Sequence, residues 1–304
     1  MKTLLIVNPA CGQGRLRSQW PQLVHLLRDL GLTFELAITT RPGDATTLAR
    51  EGLKSGFRRL VAAGGDGTFN EVANGFFEDG APIAPDAVLA PLSFGTGCDL
   101  ARSLGAPKGL AAAARLPHGQ ATPIDLGCAT FLDNQGNPTQ RFFLNYADLV
   151  LGGETIRCVR RLPKAMGGFL TFLVGSTVSL MTQQSKHLRL IVDGKPAFEG
   201  EVALAVVSNG SYFGGGMHIA PTADPRDGLF DVVILHSLTR RALIWNLPRV
   251  YRGTHISDPR VLRLRGRRVE VTSDDRVLIG MDGEQPGMAN ACFEIVPRAL
   301  LLQV

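Results

Sequence analysis

Three glycine-bearing loops and one acidic turn hold the residue types able to do chemistry. The first loop is Asn8-Pro9-Ala10-Cys11-Gly12-Gln13-Gly14. It lacks the third glycine of a dinucleotide fingerprint and the GK[ST] of a P-loop, so alone it reads equally well as an ordinary turn. The second, Gly64-Gly65-Asp66-Gly67-Thr68-Phe69-Asn70-Glu71, is more specific. Glycines let the backbone approach a phosphate, and a helix opening there offers free N–H groups and the positive end of its dipole. An aspartate in such a loop repels phosphate unless a cation or donor lies between them, so Asp66 suits magnesium or its waters. The plainer reading is an Asp-Gly turn with Thr68 as helix N-cap. The third loop runs Ser93-Phe94-Gly95-Thr96-Gly97-Cys98-Asp99, and there Asp99 or Thr96 reads more plainly as an N-cap. Late in the chain, Glu284 follows Asp282-Gly283 after an apolar strand, where a carboxylate can be fixed yet reachable. By spacing alone that turn is a plain hairpin.

These loops need elements to hold them. Over the first 125 residues strand and helix alternate. Residues 2–7, 34–39, 59–63 and 87–92 read as strands. Helices are expected over 16–30, from Asp44 as N-cap to about Ser55, through Phe77 and from Asp99. The rhythm implies a parallel sheet with helices on both faces, and ligands of such sheets bind outside the carboxyl ends of the strands, where the three loops fall. After Asp125 the rhythm changes. Strands are expected over 122–132, 141–151, 188–192, 201–208, 229–235, 261–264, 269–272, 277–281 and 292–296, many joined by short turns. That pattern implies an antiparallel sandwich or barrel. Helical segments interrupt it near 154–161, 168–181 and 240–251.

With these residues in view, the chain resembles the diacylglycerol kinase catalytic-domain family, in its branch of soluble bacterial lipid kinases related to sphingosine kinases. The resemblance rests on NPxxG at Asn8 to Gly12, GGDGTFNEV at Gly64 to Val72 and GTGxDLAR at Gly95 to Arg102. It continues with Ile124-Asp125-Leu126-Gly127, Asp227-Gly228-Leu229-Phe230-Asp231 and Asp282-Gly283-Glu284. GGDGT is shared with NAD kinases and phosphofructokinase-like folds; joined to a late DGE it is specific. The resemblance implies an α/β N-terminal domain of NAD kinase/phosphofructokinase-like type and an all-β sandwich C-terminal domain. The expected division is 1–125 with about 290–304 for the nucleotide domain, and 126–289 for the lipid-substrate domain.

The resemblance further implies ATP-dependent phosphorylation of a lipid hydroxyl, with ATP and Mg2+ as cofactors. The nucleotide would lie against Asn8, Pro9, Ala10, Cys11 and Gly12, Thr39 or Thr40, Gly64 to Asn70 (Gly64, Gly65, Asp66, Gly67, Thr68, Phe69, Asn70) and Thr96. Glu284 would be the general base. Asp66, Asp99 and Asp125 would organise the catalytic magnesium and its waters. Asp227, with the backbone carbonyls of Asp224 and Leu229, would hold a structural magnesium. Two positions depart from the family: Cys98 stands where Asn is usual, and Cys11 where a small polar residue is common. Cys11, beside a helix N-terminus, is either an oxidisable low-pKa thiol or an inert small residue.

Composition bounds the rest. Hydrophobic residues at 45% and charged residues at 19% exclude wholesale disorder. Five widely spaced cysteines with no CxxC pair argue against a disulfide framework and a zinc site. The opening apolar run is too short for a signal peptide and the run near 167–181 too short for a span, so the expectation is a cytoplasmic protein peripheral to the inner membrane face. Between Arg240 and Arg268 nine arginines face one acid, Asp258; that stretch carries +8 and leaves −3 for the remainder of a +5 chain. Either this stretch, or Arg157, Arg160, Arg161 and Lys164 ahead of the apolar 168–181 segment, is expected to dock on an anionic bilayer. The arginines lack interleaved aromatics, so no nucleic-acid partner is expected. A homodimer is compatible with the sequence, which does not set the oligomeric state. Competing functions are an NAD kinase-like phosphotransferase and a catalytically silent lipid- or nucleotide-binding regulator.

Overall fold

The computed structural model describes residues 1–153, 155 and 185–304. The expected helices near 154–161 and 168–181, with Arg157, Arg160, Arg161 and Lys164, lie outside the described residues, Thr155 apart. The chain divides into two compact units: Met1–Ile124 with Arg298–Val304, and Asp125–Pro297.

The first unit is a parallel sheet. Strands β1 (Thr3–Val7), β2 (Glu35–Ile38), β3 (Arg59–Gly64) and β6 (Val88–Ser93) lie in the order β2-β1-β3-β6. Leu301 and Leu302 of the last strand add to β6 in parallel. β1, β3 and β6 are continuous apolar runs because helices cover both of their faces. Helix α1 (Arg15–Asp29) buries Leu16, Leu23 and Leu27 against Leu5, Val61 and Leu92. Helix α2 (Asp44–Lys54) buries Ala45, Ala49, Gly52 and Leu53, one face of a 3.6-residue period. Its N-cap is Gly43 at φ +88°, not the expected Asp44. The Asp44 carboxylate instead accepts from Thr40 N–H, Thr40 Oγ1 and Arg41 N–H at 2.8, 2.7 and 3.0 Å. Those bonds, the Thr40 hydroxyl's foremost, hold it well below the usual carboxylate range. Helix α3 (Asp66–Gly75) and the short α4 (Asp99–Ser103) and α5 (Leu110–Ala113) complete the unit, with a minor hairpin of β4 (Phe77–Glu78) and β5 (Ala81–Pro82).

Among the described residues, the strand pairs of the second unit run antiparallel. Strands β7 (Ala121–Asp133) and β8 (Pro138–Phe143) form one hairpin. The run expected over 141–151 is broken at Leu144-Asn145, so β8 ends there and β9 (Tyr146–Val150) begins anew. The break arises because Asp282 draws three backbone N–H groups out of the ladder, as described below. β10 (Lys186–Val192), β11 (Lys195–Ser208), β12 (Phe230–His236) and β13 (Val261–Gly266) pair in sequence. β14 (Arg268–Thr272) joins β10 to β16 (Glu284–Gln303), and β15 (Leu278–Met281) lies between β9 and β16. Phe143, Phe230 and Phe293, fully buried, centre the core. Phe143 stacks on Phe230 at 5.7 Å and meets Phe293 edge-on at 6.3 Å. A second apolar cluster lies under helix α6 (Arg240–Tyr251), which contributes Val250 beside Leu204, Val206 and Val233. The chain returns to the first unit at Arg298 rather than about residue 290, because β16 still pairs with β14 through Glu294.

Candidate functional site

In the first unit the loops after β1, β3 and β6 meet at the carboxyl edge of the sheet. Asn8 ties the first loop to the second, its Nδ2 donating to Thr68 Oγ1 at 3.0 Å. Its Oδ1 accepts from Ala10 N–H at 3.1 Å, shaping the turn. Gly12 adopts φ +60° and lies so close to Phe94 that a Cβ would stand 2.4 Å from its carbonyl oxygen. Gly65 and Gly95 pack backbone on backbone: a Cβ on Gly95 would lie 2.8 Å from Gly65 Cα, with Cys11 Sγ at 3.8 Å. Glycine is therefore required where the three loops converge, for want of room.

Asp66 fastens the second loop to the third. Its carboxylate accepts from Asp99 N–H at 3.2 Å and Leu100 N–H at 3.1 Å, the free donors of the first turn of α4. Burial nonetheless raises its pKa above the ordinary carboxylate value, and the backbone donors pull against that. Neither Thr68 nor Thr96 caps a helix: the N-caps are Gly65 and Cys98, and neither makes a side-chain capping bond. Thr96 is exposed, while Phe69 and Asn70 are fully buried in α3. Thr39 Oγ1 donates to the Val7 carbonyl at 3.3 Å.

Cys98 sits at φ +53°, in the left-handed region where Asn is enriched among non-glycine residues, and its thiol donates to the Gly95 carbonyl at 3.0 Å. Cys11 is buried, and burial pushes its thiol up to about 12. The oxidisable low-pKa alternative is thereby overturned: burial and the neighbouring Asp66 and Cys98 outweigh Arg15 and the loop N–H.

The second unit carries the acidic turn. Asp282 and Gly283 both have positive φ, at +45° and +85°, and Met281 pairs with Glu284, the arrangement of a tight two-residue hairpin. The buried Asp282 carboxylate accepts from Leu144, Asn145 and Tyr146 N–H at 2.7, 3.1 and 3.0 Å. The turn is thus pinned to the start of β9. Glu284 projects beyond it, three-quarters buried, and its Oε2 accepts from Arg141 Nη2 of β8 at 2.8 Å. Sequence reasoning missed Arg141 and the anchoring role of Asp282; neither is readable without strand pairing. It also missed Glu71, whose carboxylate accepts from Gly43 and Ala45 N–H and so caps α2.

Asp125 Oδ2 accepts from Gly228 N–H at 2.7 Å, and its N–H donates to the Pro225 carbonyl at 2.8 Å, so Asp125 and the Asp227 turn form one cluster. Asn209 Nδ2 joins it, donating to the carbonyls of Asp125 and Leu144 at 2.9 and 2.7 Å. Asp227 Oδ1 accepts from Leu229 N–H at 3.0 Å, and its Oδ2 pairs with Arg265, which also holds Asp231. The Asp224 carbonyl accepts from Asp227 N–H at 3.3 Å. Oxygen donors of this kind suit a hard cation. Here, however, both Asp227 oxygens are engaged, one by a guanidinium that repels a second cation. This arrangement does not fit a bound metal. Among the described residues no group of three or more His, Cys, Asp or Glu could hold a metal ion.

The α/β unit with converging glycine loops and the β-sandwich define the diacylglycerol kinase/NAD kinase-like class. The diacylglycerol kinase catalytic domain matches residues 2–129, and the YegS C-terminal NAD kinase beta sandwich-like domain matches residues 156–304. The chain is 31% identical to the diacylglycerol kinase of Bacillus subtilis, over 93% of this chain and 90% of that one. It is 26% identical to that of Staphylococcus carnosus, over 95% and 90%. It belongs to the diacylglycerol kinase family. In fold it is similar to a Bacillus anthracis diacylglycerol kinase, with TM-score 0.71, 24% identity and 99% and 96% of the two chains covered. It is also similar to an Archaeoglobus fulgidus NAD kinase solved with ATP, with TM-score 0.51, 12% identity and coverages of 99% and 92%.

Proposed function

We propose that this protein transfers the γ-phosphoryl group of ATP, delivered as its magnesium complex, to the hydroxyl of diacylglycerol or a related lipid alcohol. The observation that carries the reading is the DGE hairpin: Asp282 fixes its turn through three backbone N–H bonds, and Glu284 is held by Arg141. A lipid hydroxyl is a poor nucleophile, and a carboxylate fixed in this way suits the general base that would take its proton. A new bond forms from the lipid oxygen to the γ-phosphorus as the bond to the bridging oxygen breaks. Arg141 is the positioning partner that holds the Glu284 carboxylate.

The nucleotide phosphates lie, on this reading, against Asn8 to Gly12, Gly64 to Thr68 and Thr96, with Thr39 or Thr40 alongside; Phe69 and Asn70, expected in this set, are fully buried in α3 and serve its packing instead. The small clearance at Gly65 and Gly95 supports a backbone cradle there. Asp66 and Asp99 would hold the magnesium that arrives with the nucleotide, and the two N–H bonds that Asp66 accepts support its part in joining two of the loops; Asp125 instead accepts from Gly228 N–H within the second unit. The family membership and the ATP in the related Archaeoglobus fulgidus fold support the choice of nucleotide. The lipid is met at an anionic membrane surface, through peripheral contact.

Transfer of labelled γ-phosphate into a panel of lipids in mixed micelles, with NAD as soluble control, tests the reading. A labelled lipid is expected. Label in NAD would make this an NAD kinase-like phosphotransferase, and bound ATP with no product would make it a silent regulator. Glu284→Ala is expected to lower turnover by about 10²–10⁴-fold while calorimetry finds ATP affinity nearly unchanged. Unchanged turnover removes Glu284 as the base.

A further inference from the structure

We propose that helix α6 seats this chain on an anionic bilayer, with Ile244 and Trp245 entering the headgroup layer. The purpose of such a seat rests on the lipid-kinase reading; the observations behind it do not. α6 packs Ala242, Leu243 and Val250 toward the sheet. Its opposite side should then be polar. Instead it presents Ile244, Trp245, Pro248 and Tyr251, spaced so that they share one face. Trp245 is 83% exposed and Ile244 38%. An indole left this open in water is characteristic of a membrane-interface residue, which needs an apolar body and a polar tip at the headgroup level.

Charge selects the occupant. Arg240 and Arg241 open α6, and Arg252 follows it. Four arginines of the basic stretch are neutralised or engaged within the protein. Arg249 and Arg260 hold Asp258, Arg265 holds Asp227 and Asp231, and Arg268 holds Glu270 and Glu294. Arg252 and Arg263 are exposed and make no ion pair among the described residues. Asp258, the one acid of the stretch, is buried and already held by Arg249 and Arg260. A second copy of this face would set arginine against arginine in a two-fold contact. Anionic headgroups would neutralise them while the apolar face sinks between, the usual arrangement of an interfacial helix.

The full-length protein carrying Trp20→Phe, so that Trp245 alone reports, is mixed without nucleotide with vesicles of phosphatidylcholine, with or without phosphatidylglycerol. The expected result is a blue shift of Trp245 emission, quenching by brominated acyl chains and cosedimentation with the anionic vesicles. The combined Ile244→Ser and Trp245→Ala variant is expected to bind them at least about tenfold more weakly, with phosphorylation of lipid in detergent micelles unchanged. Emission unaltered by vesicles, or undiminished binding of the double variant, overturns the proposal. So does Trp245 burial that grows with protein concentration in the absence of lipid, which would assign the face to a second copy. Vesicle binding through Trp245 by a protein that phosphorylates no lipid supports the seat and sinks the kinase reading. Lipid phosphorylation with Trp245 left in water does the reverse.

Discussion

Asp148 of β9 is a buried carboxylate with no part in the proposed reaction. It is 1% exposed, and its Oδ2 has no hydrogen-bond partner among the described residues. Gly280 and Gly152 crowd it so closely that a Cβ on either would collide with the carboxyl. Burial pushes its pKa up to about 7, against the pull of the Gly153 and Gly152 N–H groups. A raised pKa means that the native state holds this proton more tightly than the unfolded chain. Stability from this group is full below about pH 4 and is lost as pH rises through about 7. Asp148→Asn, which carries no charge to bury, is therefore expected to match the parent at pH 4 and exceed it at pH 8 by up to about 4 kcal/mol. Denaturant titrations at the two pH values measure this; equal stability at pH 8 would mean that the carboxylate is ionised at little cost.

At the scale of elements, the glycine loops work as backbone surfaces, and their spacing is set by contact. Gly95→Ala forces a Cβ to 2.8 Å from Gly65 Cα, where neither backbone can yield without moving its loop. We expect ATP affinity to fall at least about tenfold and the first unit to lose about 1–3 kcal/mol, read by calorimetry and by thermal melting. An alanine variant that binds ATP normally would show that the two loops part freely. The hairpin of β15 and β16 offers the complementary case. Its Asp-Gly turn was legible from residue types alone, since only such residues enter the left-handed region cheaply. Its three anchoring bonds to Leu144, Asn145 and Tyr146 span more than 130 residues of sequence and were not.

At the scale of the whole molecule, the basic stretch is far less positive than its composition suggests. Nine arginines against one aspartate read as a patch, yet Asp227, Asp231, Glu270 and Glu294 approach from outside the stretch or from its partner strands. What remains is a small cationic surround for α6. Phosphorylation of lipid in phosphatidylglycerol-containing vesicles is thus expected to fall several-fold between about 0.05 and 0.5 M salt, as screening shortens to about 4 Å. Phosphorylation in neutral detergent micelles should stay level. Equal salt sensitivity in both would locate the effect at the nucleotide.

The alternation of apolar strand, glycine loop and helix, then the run of turn-linked strands, determined the two-part architecture without any coordinates. Those patterns are local: period, turn chemistry and helix-opening glycines are properties of neighbouring residues. The positions of Asp66, Asp99, Asp125, Asp227 and Glu284 were equally visible as motifs. Tertiary structure alone decided who meets them: Arg141 at Glu284, Arg265 at Asp227, the α4 amides at Asp66, and the glycine contact that seats Cys11. Such pairings depend on strand register and on which loops share a sheet edge, and burial then sets the charge each group can bear.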